Sequence, residues 1–160
     1  MEDEQVIMAE QMFVEQAGGV IEHLGLPRMA GRVLGWLLIC DPPQQSPGEL
    51  AAALQASKAS ISTTVRLLVQ VDLVERAVTP GKRRDYFRIR EDTWSRTTEE
   101  RKGLITSMRA LAESGLALRA DADEEATRRL REMRDFYAFY ERELPALVER
   151  WRRERREKQR

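Results

Sequence analysis

The chain is 160 residues long, 42% hydrophobic, and formally neutral with 27 basic and 27 acidic side chains, so it sustains one domain or one domain with a helical extension and needs no cross-links to fold. A single cysteine, Cys40, excludes an internal disulfide, and a single histidine, His23, leaves too few soft ligands for an ordinary zinc site, so no metal and no cofactor is expected. The first residues, MEDEQVIMAEQ, are acidic and the longest apolar stretch, near Trp36, is far short of a membrane span, which predicts a soluble cytoplasmic protein with no membrane partner.

Val6, Phe13, Ala17, Val20 and Leu24 recur at three- and four-residue steps and predict one apolar stripe on a first helix. Gly25-Leu26-Pro27 ends it. The run MAGRVLGWLLIC, up to Cys40, is apolar on more than one face, so a second helix is expected to be sandwiched between neighbours until Asp41-Pro42-Pro43 stops it. Ser46-Pro47-Gly48-Glu49 has the form of a helix start: a hydroxyl N-cap, proline at the first helical position, and a glutamate that reaches back to the cap. After a short helix through Leu50 and Leu54, the pair Gln55-Ala56 makes a tight connection to a second N-cap, Ser57.

The helix opened by Ser57 gathers Ile61, Thr64, Val65, Leu68 and Val71 on one side and leaves Lys58, Ala59, Ser62, Thr63 and Arg66 on the other. Two short helices in succession, the second with an apolar back and a small polar front, match a helix-turn-helix whose second helix enters the major groove. Small residues let the backbone approach the bases closely. VERAV and DYFRI then read as two strands joined through Pro80-Gly81, completing a winged helix with Lys82, Arg83 and Arg84 at the wing tip. Asp85 beside them is placed to orient an arginine. Overall neutrality conceals this footprint: residues 1–54 carry 2 basic and 8 acidic side chains, residues 55–90 carry 8 and 3, and the last eleven residues, RWRRERREKQR, carry 7 and 2.

The predicted DNA-binding residues are therefore Ser57, Lys58, Ala59, Ser62, Thr63, Arg66, Lys82, Arg83 and Arg84. A hairpin with three cations is also a common way of guarding a sheet edge, and a helix pair alone is a common corner. The order of capped short helix, tight connection, polar-fronted helix and cationic hairpin selects DNA over both.

Beyond the hairpin a long helix is expected from Asp92–Thr98 towards Ala120 with Leu104, Met108, Leu111 and Leu118 in register. ADADEE restarts a helix whose stripe is Leu130, Met133, Tyr137, Tyr140, Leu144, Leu147, Val148 and Trp151, with Pro145 expected to kink or restart it. A second copy of the chain is the economical cover for such stripes. The expected fold class is mainly α with a small β-hairpin: a winged helix-turn-helix domain over residues 28–91, and a helical dimerisation region formed by residues 1–27 and 92–160.

GLPRMAGRVLGWLLICDPPQQSPGELAAALQASKASISTTVRLLVQVDLVERAVTPGKRRDYFRI resembles the MarR-type winged-helix regulators and, more closely, their GbsR-like branch. FVEQAGG, AGRVLGWLLICDP, the polar-fronted helix and RRLREMRD are similar to the group of mycobacterial MarR-like repressors of MmpS/MmpL exporters. The resemblance spans roughly Phe13 to Asp135 and does not extend to FYAFYERELP or the basic tail. It implies a homodimeric, ligand-responsive repressor on a palindromic double-stranded operator, released by an apolar or amphipathic effector. Control of an efflux or lipid and drug export operon is the expected role, with control of osmoprotectant genes as the alternative within the family and a helical adaptor that binds no DNA as the alternative outside it.

Met29, Trp36, Phe136 and Phe139 are the candidate effector-binding residues, the first two near the expected domain junction. In the aromatic cluster Phe136, Tyr137, Phe139 and Tyr140, helical spacing assigns most members to the core or the dimer, and Phe139 falls off the stripe. Cys40 reads as inert in its apolar helix, with a redox sensor as the alternative. No paired carboxylates, nucleophile motif or phosphate loop points to an enzyme.

Overall fold

The computed structural model describes residues 2–78, 84–121 and 123–160. The elements in chain order are α1 (Glu2–His23), α2 (Arg28–Ile39), α3 (Pro47–Ala53), α4 (Lys58–Gln70), β1 (Val74–Ala77), β2 (Tyr86–Ile89), α5 (Thr93–Leu118) and α6 (Glu124–Lys158). This is the mainly helical chain with one small hairpin that the sequence predicts. It divides into two compact units, Met1–Thr93 and Trp94–Arg160.

Local chemistry sets the boundaries of the first unit. Gly25 takes a φ of 86°, a left-handed conformation open to glycine, and turns the chain out of α1. Ser46 Oγ accepts from the Glu49 amide at 3.3 Å while Glu49 Oε2 accepts from the Ser46 amide at 2.7 Å, the reciprocal cap expected from the sequence. Such a cap stabilises its helix by about 1 kcal/mol. Ser57 Oγ accepts from the Ser60 amide at 3.1 Å and starts α4. Between the two helices Gln55, at φ 49°, makes the tight connection.

α2 lies at the centre of this unit, packed against α1, α4 and β2. Its Ala30, Val33, Leu34 and Leu37 join Leu50, Leu54, Ile61, Val65, Leu68, Leu73, Val74 and Phe87 in one buried cluster. Burial on several faces is what its uninterrupted apolar sequence requires. β1 and β2 pair antiparallel with Val74 opposite Ile89 and Ala77 opposite Tyr86. Gln45 adds a single bridge to this pair: its amide donates to the Phe87 carbonyl at 2.9 Å and its carbonyl accepts from the Phe87 amide at 2.8 Å. The entry to α3 is thereby fastened to the hairpin.

α1 packs against α2 by a face that shares only Ala17 with the predicted stripe. Val14 and Gly18 are buried and Ala17 and Ile21 half-buried, whereas Val6, Phe13, Val20 and Leu24 are exposed. The cause is backbone proximity. A Cβ on Gly31 would stand 2.5 Å from the Ala17 carbonyl oxygen, and one on Gly35 would stand 2.6 Å from Ala17 Cβ. Only the small-residue face of α1 fits against these glycines, so the bulkier stripe is left outside.

The second unit is a helical hairpin. Its antiparallel order follows from Gly115 against Leu130, Thr106 and Arg109 against Glu141, and Glu99 against Arg152. Ile105, Leu144 and Val148 form its buried cluster with Tyr137 against them. The expected register on α5 is corrected in part: Ile105 and Ala112 are buried with the expected Met108 half-buried, while Leu104, Leu111 and Leu118 are exposed by 61%, 62% and 86%. Contact of α5 with α6 runs one residue further along the chain than the leucine repeat. α6 passes through Pro145 without restarting, so of the two expected outcomes the restart does not occur. Proline removes one backbone donor, but Leu144 and Val148, buried on either side of it, hold both segments in the same cluster.

Candidate nucleic-acid interface

α4 separates its residues as the periodicity predicts. Ile61, Thr64, Val65 and Leu68 are buried, Val71 is half-buried, and Ser57, Lys58, Ala59, Ser62, Thr63 and Arg66 are exposed. The exposed side chains are short except at the cationic edges, so a double helix can approach the α4 backbone. Arg66 lies along its own helix, its Nε donating to the Ser62 carbonyl at 3.3 Å. That contact orients the guanidinium without neutralising it, leaving its terminal nitrogens available for a planar acceptor such as a guanine edge.

A groove of about 540 Å³ lies beside this face, lined by Ser46, Pro47, Gly48, Lys58, Ser62, Arg84 and Asp85. It joins the starts of α3 and α4 to the described end of the hairpin. Arg84 is thus brought together with Lys58 and Ser62, while Lys82 and Arg83 lie outside the described residues. Asp85 Oδ1 stands 3.6 Å from Arg76 Nη1, so its described partner is a strand arginine. Arg76 also lies over the Phe87 ring at 6.0 Å, and Arg88 pairs with Glu75 at 2.8 Å. Sequence reasoning did not single out Pro47, Gly48 or the Gln45 bridge. The capping signal marked the first two as a helix start, and nothing in the local pattern showed that the start borders the groove.

The two cations of the first 54 residues are engaged elsewhere. Arg28 Nη2 reaches Glu15 Oε2 at 2.9 Å, and Arg32 Nε stands 2.7 Å from Glu15 Oε1. Arg32 also donates to the Leu54 carbonyl at 3.0 Å, linking α1, α2 and the end of α3. The hydrogen bond from Arg28 holds the Glu15 carboxyl below its ordinary range, with the charge of Arg32 adding to the effect. A carboxylate with a lowered pKa contributes stability above the ordinary carboxylate range and loses it as the pH falls through the lowered value. Glu15 is 47% exposed, so solvent and salt weaken the contribution. Thermal melts of wild type and Glu15→Gln are therefore expected to differ slightly at neutral pH and to converge on acidification; a difference that grows towards acid would contradict this.

A cavity of about 490 Å³ lies among α1, α2 and the end of α3. Ile7, Val14, Trp36 and Leu54 give it apolar wall, and Glu10, Gln11, Arg32 and Gln55 give it a polar one. Among the described residues the buried Trp36 Nε1 has no hydrogen-bond partner. Of the four candidate effector residues only Trp36 lines this cavity. Met29 is packed against the core beside Arg32, and Phe136 and Phe139 are exposed on α6. Phe136 makes an edge contact with Tyr137 at 5.3 Å, and Arg142 lies over Phe139 at 5.3 Å.

Cys40 is half-buried, and burial pushes its thiol pKa up, which keeps it protonated at neutral pH and poorly nucleophilic. His23 is exposed, its Nδ1 2.7 Å from the Gly19 carbonyl. Among the described residues no acidic, histidine and cysteine side chains group to hold a metal, and no helix is long and apolar enough to cross a membrane.

Two family models match in succession: the MarR family over residues 24–85, and MmpR5-like MarR family transcriptional regulators over residues 92–154. The chain is 48% identical over 129 residues to the HTH-type transcriptional regulator MmpR5 of Mycobacterium tuberculosis, a match covering 81% of this chain and 78% of that protein. It is 24% identical over 149 residues to the HTH-type transcriptional repressor OpcR of Bacillus subtilis, covering 83% and 79%. A crystal structure of a transcriptional regulator superposes with a TM-score of 0.74 at 43% identity, covering 91% of this chain and 99% of that one.

Proposed function

Because the chain belongs to the MarR family of transcriptional regulators, which are not enzymes, we propose that it works as a homodimeric repressor that reads a palindromic operator with α4 and is released by an amphipathic ligand. The observation that carries the reading is the exposed face of α4, small and polar from Ser57 to Arg66, continuous with a groove that contains Lys58 and Arg84. The major groove presents a distinct pattern of donors and acceptors at each base pair, and this face supplies hydroxyls and a guanidinium to meet it. Repression rather than activation is supported by the relationship to OpcR and by the resemblance to exporter repressors, which also supports an export operon as the target.

Two features support a dimer. Val6, Phe13, Val20 and Leu24 on α1 are 55%, 39%, 63% and 64% exposed, and Leu147 and Trp151 on α6 are 51% and 48% exposed. Contiguous apolar faces of this kind on a regulator mark an interface. The ligand site we assign to the cavity beside Trp36, whose wall offers both apolar surface and an unpartnered indole donor. A ligand releases DNA only by favouring a dimer geometry in which the two α4 helices no longer match half-sites about 34 Å apart.

Selection of bound duplexes from a random pool tests this directly. An inverted repeat with half-sites about one helical turn apart is expected, together with a dimer by sedimentation. A monomer, or a pool that stays random, would contradict the reading.

A further inference from the structure

The last turns of α6 carry an excess of positive charge. Arg150, Arg152, Arg153, Arg155, Arg156, Lys158 and Arg160 stand against only Glu154 and Glu157 over the last eleven residues. The segment is helical to Lys158. Trp151 lines a slot with Trp94 and Thr98, so the last turns of α6 lie near the start of α5.

Helical geometry sorts these charges. Arg153 and Arg156 fall on one side of α6 with Arg152 beside them and Arg160 just past the helix end, while Glu149 and Glu157 border the same side and Glu154 falls on the next face. Arg152 is held by two hydrogen bonds of 2.8 Å to Glu99, and Arg156 reaches Glu149 at 3.2 Å across solvent. Arg150, Arg153, Lys158 and Arg160 form no ion pair among the described residues. Cations at a helix C-terminus are favoured by the helix dipole, but that effect is confined to the last turn. Glu149 and Glu157 offset the repulsion between Arg153 and Arg156 only in part, because the last eleven residues keep five more basic than acidic side chains, and a polyanion laid along the stripe relieves the rest.

We propose that the Arg153–Arg156–Arg160 stripe is a second DNA-binding element that contacts backbone phosphates without reading sequence. The proposal rests on the DNA-binding reading above, since the duplex engaged by α4 is the polyanion brought nearest to the dimer. A lipid surface fits less well. After Trp151 no apolar residue follows, so the last turns have no apolar face to insert between acyl chains, as an interfacial helix requires.

The test compares full-length wild type with the R153Q/R160Q variant on a long random-sequence duplex across a range of salt concentrations. Counter-ion release lowers the slope of log affinity against log salt by about 0.9 for every phosphate contact removed, so the variant is expected to show a shallower slope and about tenfold weaker binding. R153K/R160K, which keeps the charge, is expected to retain the wild-type slope. Arg119→Gln, at the opposite end of the helical hairpin, is expected to change nothing. If wild type binds the duplex and R153Q/R160Q binds with the same slope while remaining helical by circular dichroism, the stripe has no such role. If instead that variant loses binding only to phosphatidylserine vesicles, the partner is a membrane and the assignment is overturned. If wild type binds no duplex at all, the regulatory reading fails first and the stripe's role with it.

Discussion

Gly31→Ala is expected to destabilise the N-terminal unit by about 1–3 kcal/mol, and Gly31→Leu to detach α1 from α2. The sign is the informative part. Inside an ordinary helix, replacing glycine by alanine stabilises by about 1 kcal/mol because less backbone entropy is lost. Here the new methyl would stand 2.5 Å from the Ala17 carbonyl oxygen and 2.7 Å from Gly18 Cα, both backbone atoms that cannot turn aside as a side-chain tip does. α1 must move away as a body, weakening the contacts of Val14 with the core and the Arg32–Glu15 contact. Urea denaturation followed by circular dichroism measures the difference. A Gly31→Ala protein more stable than wild type would show that the two helices do not approach as described.

The second large effect concerns DNA. Arg66→Ala is expected to weaken operator binding by about 1–3 kcal/mol and to relax preference at one position in each half-site, the loss expected for a bidentate base contact. Arg84→Ala should fail differently. Arg84 borders the groove between α4 and the hairpin, where phosphates are met first, so its removal should weaken operator and unrelated DNA alike and lower the salt slope by about one contact per protomer. Fluorescence anisotropy with matched and single-substituted duplexes separates the two. An Arg66 variant with unchanged base preference, or an Arg84 variant with unchanged salt dependence, would reverse the assigned roles.

The winged unit was legible in the sequence because its signals are local. A serine three residues before a glutamate, a serine opening α4, and a two-sided pattern from Ile61 to Leu68 are each decided within one or two turns, and the structure reproduces them. The faces of α1 and α5 were not legible. Both helices carry apolar residues on two sides, and which side is covered depends on the partner helix. Gly31 and Gly35 select the Val14–Gly18 face of α1, and Ile105, packed with Leu144 and Val148, leaves Leu104 and Leu111 outside. Pro145 does not restart α6 for a related reason: intrinsic propensity argues against a proline inside a helix, and burial on both sides of it keeps the two segments in one helix.

The most direct measurement of the central claim is a mobility shift of DNA from upstream of the chain's own gene, in the presence of a large excess of unrelated duplex, with wild type and with S62A/T63A/R66A. All three positions are exposed on α4, so the triple substitution leaves its buried face intact. A shifted band that survives the competitor with wild type and is lost with the folded, dimeric triple variant is the predicted result. An equally resistant band with the triple variant would contradict sequence reading by α4.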